Sequence, residues 1–282
     1  DKVEQFHDLI GIKGMATGPF NLVGKLDSTP EGLELLQVKL DTSLGHVTLS
    51  GPLGEAPDYI GSKLDLNVDG ENANSVMAGF GIDLLPERPF NLNARVEVAE
   101  GGLHVERGVL VTIEDERLEL GGFVAFAAGS KGTSVDMKIS GKHFAEMIRR
   151  HVGDNELPDS PYKLSGQINI QEEGIRLENM EFGYEGITLG SSGLLKISGQ
   201  LSGTALNFQV GGENLSSLSK FKAIGTTLDI FVPGQPYQFD GRFSVEDDGW
   251  KLSGVNGRIG ETALDVDALI SKQPKLSGSN IR

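Results

Sequence analysis

Cysteine is absent from the 282 residues. Disulfides and thiolate metal sites are thereby excluded, although the absence alone does not assign a compartment. Cations are scarce: 25 Lys and Arg face 40 Asp and Glu, a net charge of −15. The counterion release that drives binding to a phosphate backbone needs clustered Lys and Arg, so no nucleic-acid partner is expected. The one Arg pair, Arg149-Arg150, reads as a cationic helix end. No apolar run approaches the ~20 residues of a spanning helix. A signal peptide is also missing, and the pattern is already under way near Asp1, as in a mature or excised piece of a longer protein.

Glycine is what the chain has in quantity, 39 residues, and its placement is periodic. Pro-aromatic motifs open at Pro19-Phe20, Pro89-Phe90, Pro161-Tyr162 and Pro236-Tyr237, spaced 70, 72 and 75 residues apart. Thirteen residues after each Pro comes a Gly followed by an apolar residue: Gly32-Leu33, Gly102-Leu103, Gly174-Ile175 and Gly249-Trp250. Thirty-two after each Pro stand Gly51, Gly121, Gly193 and Ala268. The first three copies end on Gly70, Gly141 and Gly212. A recurrence of this length decides architecture before any single residue is interpreted. It predicts an array in which each unit touches mainly its neighbours.

Inside each unit apolar residues alternate with polar ones, the period of a strand. Phe20, Leu22 and Leu26 begin the first unit, followed by Leu33, Leu35, Leu49, Leu64, Leu66 and Val68. The pattern slips one place between Leu35 and Leu36-x-Val38, which predicts a β-bulge. The second unit continues with Phe90, Leu92, Val96, Leu103, Leu118, Leu120, Met137 and Ile139. The third has Tyr162, Leu164, Ile168, Leu177, Leu189, Leu206 and Phe208, and the fourth Tyr237, Phe239, Phe243, Leu252, Leu264 and Val266. Short helices are expected at 72–79, near 143–152 and at 214–221, with an extra strand at 228–232.

The expected fold is mainly β: an elongated, curved antiparallel trough of about four repeats of roughly 72 residues, each with about four strands and a short helix. The expected boundaries are 1–18 for the tail of a preceding unit, then 19–81, 82–153, 154–222 and 223–282, the last ending before its final strand. One short helix per unit cannot cover the apolar face, so the sheet either closes on itself as a sandwich or curls into a trough that meets a guest. Gly24, Gly51, Gly166 and Gly241 on that face would permit the bend.

Sites of chemistry are hard to find. Asp65-x-Asn67-x-Asp69-Gly70 opens like a calcium loop, but Val76 stands where the bidentate Glu is required. His143 and His151 are eight apart, not the one turn of a helical metal pair. Glu114-Asp115-Glu116 and Glu246-Asp247-Asp248 fall where hairpin turns belong. Neither an enzymatic activity nor a cofactor or metal is expected. The column Phe20, Phe90, Tyr162 and Tyr237 is open to two readings, a lining of the face or a structural ladder at each unit's start.

The run (aromatic)-x-Leu-x-Gly, Gly-Leu-x-Leu, Leu-x-x-x-Gly and Leu-x-x-Gly-x-Asn before a small helix resembles the AsmA-like proteins of Gram-negative bacteria. Phe20–Gly24, Gly32–Leu35, Val68–Asn72, Tyr162–Gly166 and Gly211–Asn214 carry the resemblance. The chain departs from the pattern at Ala268 and at the extra strand. The resemblance implies a periplasmic β-groove, similar to the eukaryotic bridge-like lipid-transfer proteins, held to the inner membrane by an anchor this chain lacks. Its implied partners are phospholipid acyl chains and an outer-membrane or periplasmic acceptor. The alternating apolar residues named above are then the candidate groove lining. A structural spacer or adhesin-like array with a closed, dry core is the alternative.

Overall fold

The computed structural model describes residues 19–30, 32–74, 87–113, 115–126, 130–152, 157–197, 201–220, 234–272 and 279–281. The expected strand at 228–232 and the segment 1–18 lie outside the described residues, as does most of the helix expected at 72–79, of which Ala73 and Asn74 are helical. The chain is mainly β and forms two compact units, Asp1–Ser130 and Lys131–Arg282.

The first unit holds β1 (Asn21–Thr29), β2 (Gly32–Thr42), β3 (Gly45–Pro52), β4 (Lys63–Gly70), β5 (Phe90–Ala99), β6 (Gly102–Ile113) and β7 (Glu116–Ala125). Each pairs antiparallel with the next in sequence. The second unit holds β8 (Ser134–Gly141), α1 (Phe144–Val152), β9 (Tyr162–Ile170), β10 (Ile175–Tyr184), β11 (Ile187–Leu195) and β12 (Ala205–Gly212). A 3₁₀ helix (Leu215–Lys220) follows, then β13 (Tyr237–Val245), β14 (Gly249–Ile259), β15 (Thr262–Ser271) and β16 (Asn280–Ile281). These strands too pair antiparallel in chain order. β16, two residues long, pairs with β15 at Ala268 and Leu269.

Register explains the glycines. Gly70, Gly141 and Gly212 face Phe90, Tyr162 and Tyr237 across the strand pair. A Cβ on Gly70 would lie 2.8 Å from Phe90 Cε1, and one on Gly212 2.9 Å from Tyr237 Cε1, so the ring occupies the space a side chain would need. A ring laid over a cross-strand glycine buries apolar area and fixes which residues face each other.

The bulge expected beside Leu35 is present, a register shift between Leu35 and Val38. Comparable shifts recur on every fourth strand, at Val105/Val109 in β6, Leu177/Met180 in β10 and Leu252/Val255 in β14. Such shifts bend a strand and increase its twist. Gly24, Gly166 and Gly241 sit opposite three of them, leaving room for Val38, Met180 and Val255. In the second unit of the sequence pattern the left-handed position belongs to Gly122 (φ +128°) rather than Gly121. Gly122 faces Val105 as Gly51 faces Leu35 and Gly193 faces Leu177.

At Gly193, with φ +140°, a Cβ would collide with the Ala205 carbonyl oxygen, whereas at Gly183 it would meet nothing. Gly193→Ala is expected to cost about 2–4 kcal/mol and Gly183→Ala less than about 0.5 kcal/mol, both read from urea unfolding followed by circular dichroism.

Candidate functional site

Alternation sorts each strand into two faces, and the pairings align the apolar sets into rows that cross the strands. In the first unit one row runs Leu22, Leu40, Val47, Val68, Leu92, Val111, Leu118, from β1 to β7 without a break. Beside it lie Leu49, Leu66 and Leu120 with Val38, Ala94 and Val109. A third row holds Leu26, Leu35, Leu64, Val96 and Val105, and a fourth Leu33, Val98, Leu103 and Val124.

The second unit repeats the arrangement with more aromatic and Met side chains. Ile139, Leu164, Phe182, Leu189, Val210 and Phe239 align, ending on Gly257 and Leu264. Met137, Phe208 and Val266 fall in the next row, Val266 opposite Val255. Ile168, Leu177, Leu206, Phe243 and Leu252 make the third.

Few of these side chains are buried. Leu22, Leu26, Leu33, Leu189 and Leu264 are 38–54% exposed, and apart from Val96 the other row members among the expected residues are half-buried. A contiguous apolar surface left this accessible is unusual for a soluble domain and makes this face the candidate site. A buried cluster in the first unit, Ala73, Phe90, Val111 and Ile113, sits at one end of the face.

The aromatic column behaves differently from the rows. Phe90, Tyr162 and Tyr237 are 3–7% exposed and have no ring face left for a guest, so their role is the structural ladder. Phe20 precedes β1 and is half-buried. Phe144 on α1 packs on Tyr162, Phe182 and Tyr184 with centroids 5.3, 5.1 and 4.5 Å away.

The opposite face is polar and internally paired. Asp65 accepts from Arg95 Nε (2.8 Å), and Asn67 donates to Asn93, so the calcium-like spacing is spent on cross-strand pairs. The pairing with Asp65 raises the Arg95 pKa. His46 lies 2.7 Å from Asp41; their hydrogen bond lowers the Asp41 pKa and raises that of His46. His143 lies 2.6 Å from Asp159.

One recurrent site has no counterpart in the sequence reading. Ser62 Oγ accepts from Gly54 N (2.8 Å), Thr204 Oγ1 from Lys196 N (3.0 Å) and Ser279 Oγ from Ser271 N (3.0 Å), each bridging eight residues. Gly61-Ser62, Gly132-Thr133 and Gly203-Thr204 also exchange main-chain bonds with Val98, Ile170 and Val245. These Gly-Ser/Thr pairs are 71 residues apart, a period legible in the chain but hidden by how common the dipeptide is. A non-glycine residue stands in the left-handed region three places before Ser62, Thr133 and Thr204: Tyr59 (φ 53°), Ser130 (φ 55°) and Leu201 (φ 66°).

The chain matches no protein-family model, no curated protein and no solved structure. Its chemistry has to be read from the face and its margins.

Two outcomes are expected here. Thr204→Val leaves the Lys196 N–H without its acceptor, at a cost of about 1–3 kcal/mol, and speeds amide exchange at Lys196. Tyr184 is buried and donates to the Pro158 carbonyl; burial, then the charges of Glu185 and Asp159, push its pKa from 10.0 to about 12. Because the raised value favours the protonated form in the folded chain, its contribution is full below pH 10 and is lost as pH rises towards about 12. Urea midpoints should fall across that window in the native chain and fall less steeply in Tyr184→Phe, where the buried Tyr237, its pKa also raised, still contributes.

Proposed function

We propose that this chain is a segment of a lipid-transfer bridge of the AsmA-like kind, whose apolar face shields phospholipid acyl chains between the inner and outer membranes. In this reading about four repeats form a curved, elongated trough in the periplasm, each repeat ending in a short helical segment, and the larger protein is anchored in the inner membrane. The observation that carries it is the set of unbroken apolar rows left half-exposed in both units. Recurrence of the bulge, the ring-over-glycine contact and the hydroxyl clip supports counting in units of about four strands.

The energetics suit such a task. A buried CH₂ is worth ~0.8 kcal/mol, so a 16-carbon chain carried through water costs on the order of 12 kcal/mol. A face of Leu, Val and Phe offsets that cost without directional contacts, so a guest can slide. No residue has to act as a nucleophile, acid or base. A closed spacer array, the second reading, would bury Leu22, Leu26 and Leu33, which are 42–54% exposed.

Native mass spectrometry of the 282-residue chain produced in a Gram-negative host tests the reading. Co-purified phospholipid is expected, and Leu189→Asp or Leu66→Asp should remove it while the β circular-dichroism signal persists. A folded chain that carries no phospholipid and takes up none when it is added sinks the proposal.

A further inference from the structure

The two ends of the strands are built differently, and this bears on how a guest would lie on the face. In an antiparallel sheet taken in chain order, successive connections alternate between the two rims. In the second unit the β8–β9 and β12–β13 connections, with α1 and the 3₁₀ helix, share one rim with the tight turns after β10 and β14. There Phe144 sits over Tyr162, Phe182 and Tyr184, with Ala145 only 3% exposed, so the helix covers the end of the apolar rows. In the first unit the fully buried Ala73 takes the same place against Phe90, Val111 and Ile113.

The other rim carries the hydroxyl clips. Among the described residues its connections hold exposed apolar side chains: Tyr59 (44%) and Ile60 (49%) between β3 and β4, Phe126 (62%) after β7, Ile197 (66%) and Leu201 (46%) between β11 and β12. Tyr59 and Leu201 stand in the left-handed region, which costs a bulky residue of order 1–3 kcal/mol and which Gly or Asn would occupy freely. Burial does not explain the choice, because both side chains face water. Ser62, 1% exposed, donates to the Tyr59 carbonyl (2.6 Å) and accepts from Gly54, so the strained residue is held rather than tolerated.

In the first unit the apolar stripe between the rims is four rows wide, Leu92 to Val98 on β5, or about 20 Å at ~3.3 Å per residue. One leaflet of a bilayer's ~30 Å hydrocarbon core is about 15 Å deep. An acyl chain therefore fits across the stripe, along the strands.

The geometry points to a fixed polarity for the guest: the acyl tails lie across the rows with their methyl ends towards the helix-covered rim, and the phospholipid headgroups leave at the clip rim. There Tyr59 and Phe126 in the first unit, and separately Ile197 and Leu201 in the second, flank the junction of headgroup and chain, the half-apolar, half-wet setting that an amphipathic Tyr suits. The inference rests on the lipid-bridge reading and adds its orientation.

The absence of native cysteine makes the test clean. Leu201→Cys on the clip rim and Glu261→Cys on the helix rim, both in the second unit, each carry one fluorophore in the full chain. Phospholipid bearing a nitroxide on its headgroup or at the end of its acyl chain is then added. The headgroup nitroxide is expected to quench the label at 201 more than that at 261, and the acyl-end nitroxide to reverse the order. Equal or inverted quenching overturns the polarity while leaving lipid binding intact. Quenching by neither lipid at either site overturns the lipid reading itself.

Discussion

Everything in this sheet depends on register, and the ring-over-glycine contacts hold it. A one-residue slip in a β pair sends every side chain to the opposite face. Here that would put Asn67, Asn93 and Asp65 among the apolar rows and Leu66 and Leu92 into the polar pairs. Phe90 over Gly70 and Tyr237 over Gly212 prevent it, because each ring has one glycine-sized site to fill. Tyr162, facing Gly141, belongs to the same series. The contacts fall at the junctions where a connection of more than ten residues leaves register least constrained by the turn.

Around these anchors the two faces take opposite solutions to the same problem. The polar face pairs its charges and amides across strands, as Arg95 does with Asp65, and exposed pairs of that kind contribute little net stability. The apolar face leaves Leu26 and its neighbours accessible, which forgoes the burial that stabilises an ordinary domain. Backbone pairing, the bulges and the covered ends then hold the fold together. In the proposed conduit the guest would complete the burial.

Much of this was legible in the chain. Alternation identified the strands and most members of the rows, and the slip at Leu35–Val38 located a real bulge. Period and local chemistry suffice where neighbouring strands are also neighbours in sequence. The aromatic column was misleading on its own: an alternating aromatic reads as lining until burial shows that Phe90, Tyr162 and Tyr237 are occupied by their glycines. The period falls on Gly121, whereas the left-handed conformation falls on Gly122, the residue that faces Val105.

By itself, then, the sequence determined the fold class, the two faces and the strand order, because an antiparallel array of adjacent strands needs only local patterns. The tertiary structure alone decided which connections carry the helices and which carry the hydroxyl clips. The Gly-Ser/Thr clips take their meaning from hydroxyls that reach back eight residues and from main-chain bonds to Val98, Ile170 and Val245 on the next strand pair. A side chain in the left-handed region has no signature in composition or period. Its conformation is imposed by partners far along the chain, and they become neighbours only when the sheet is formed.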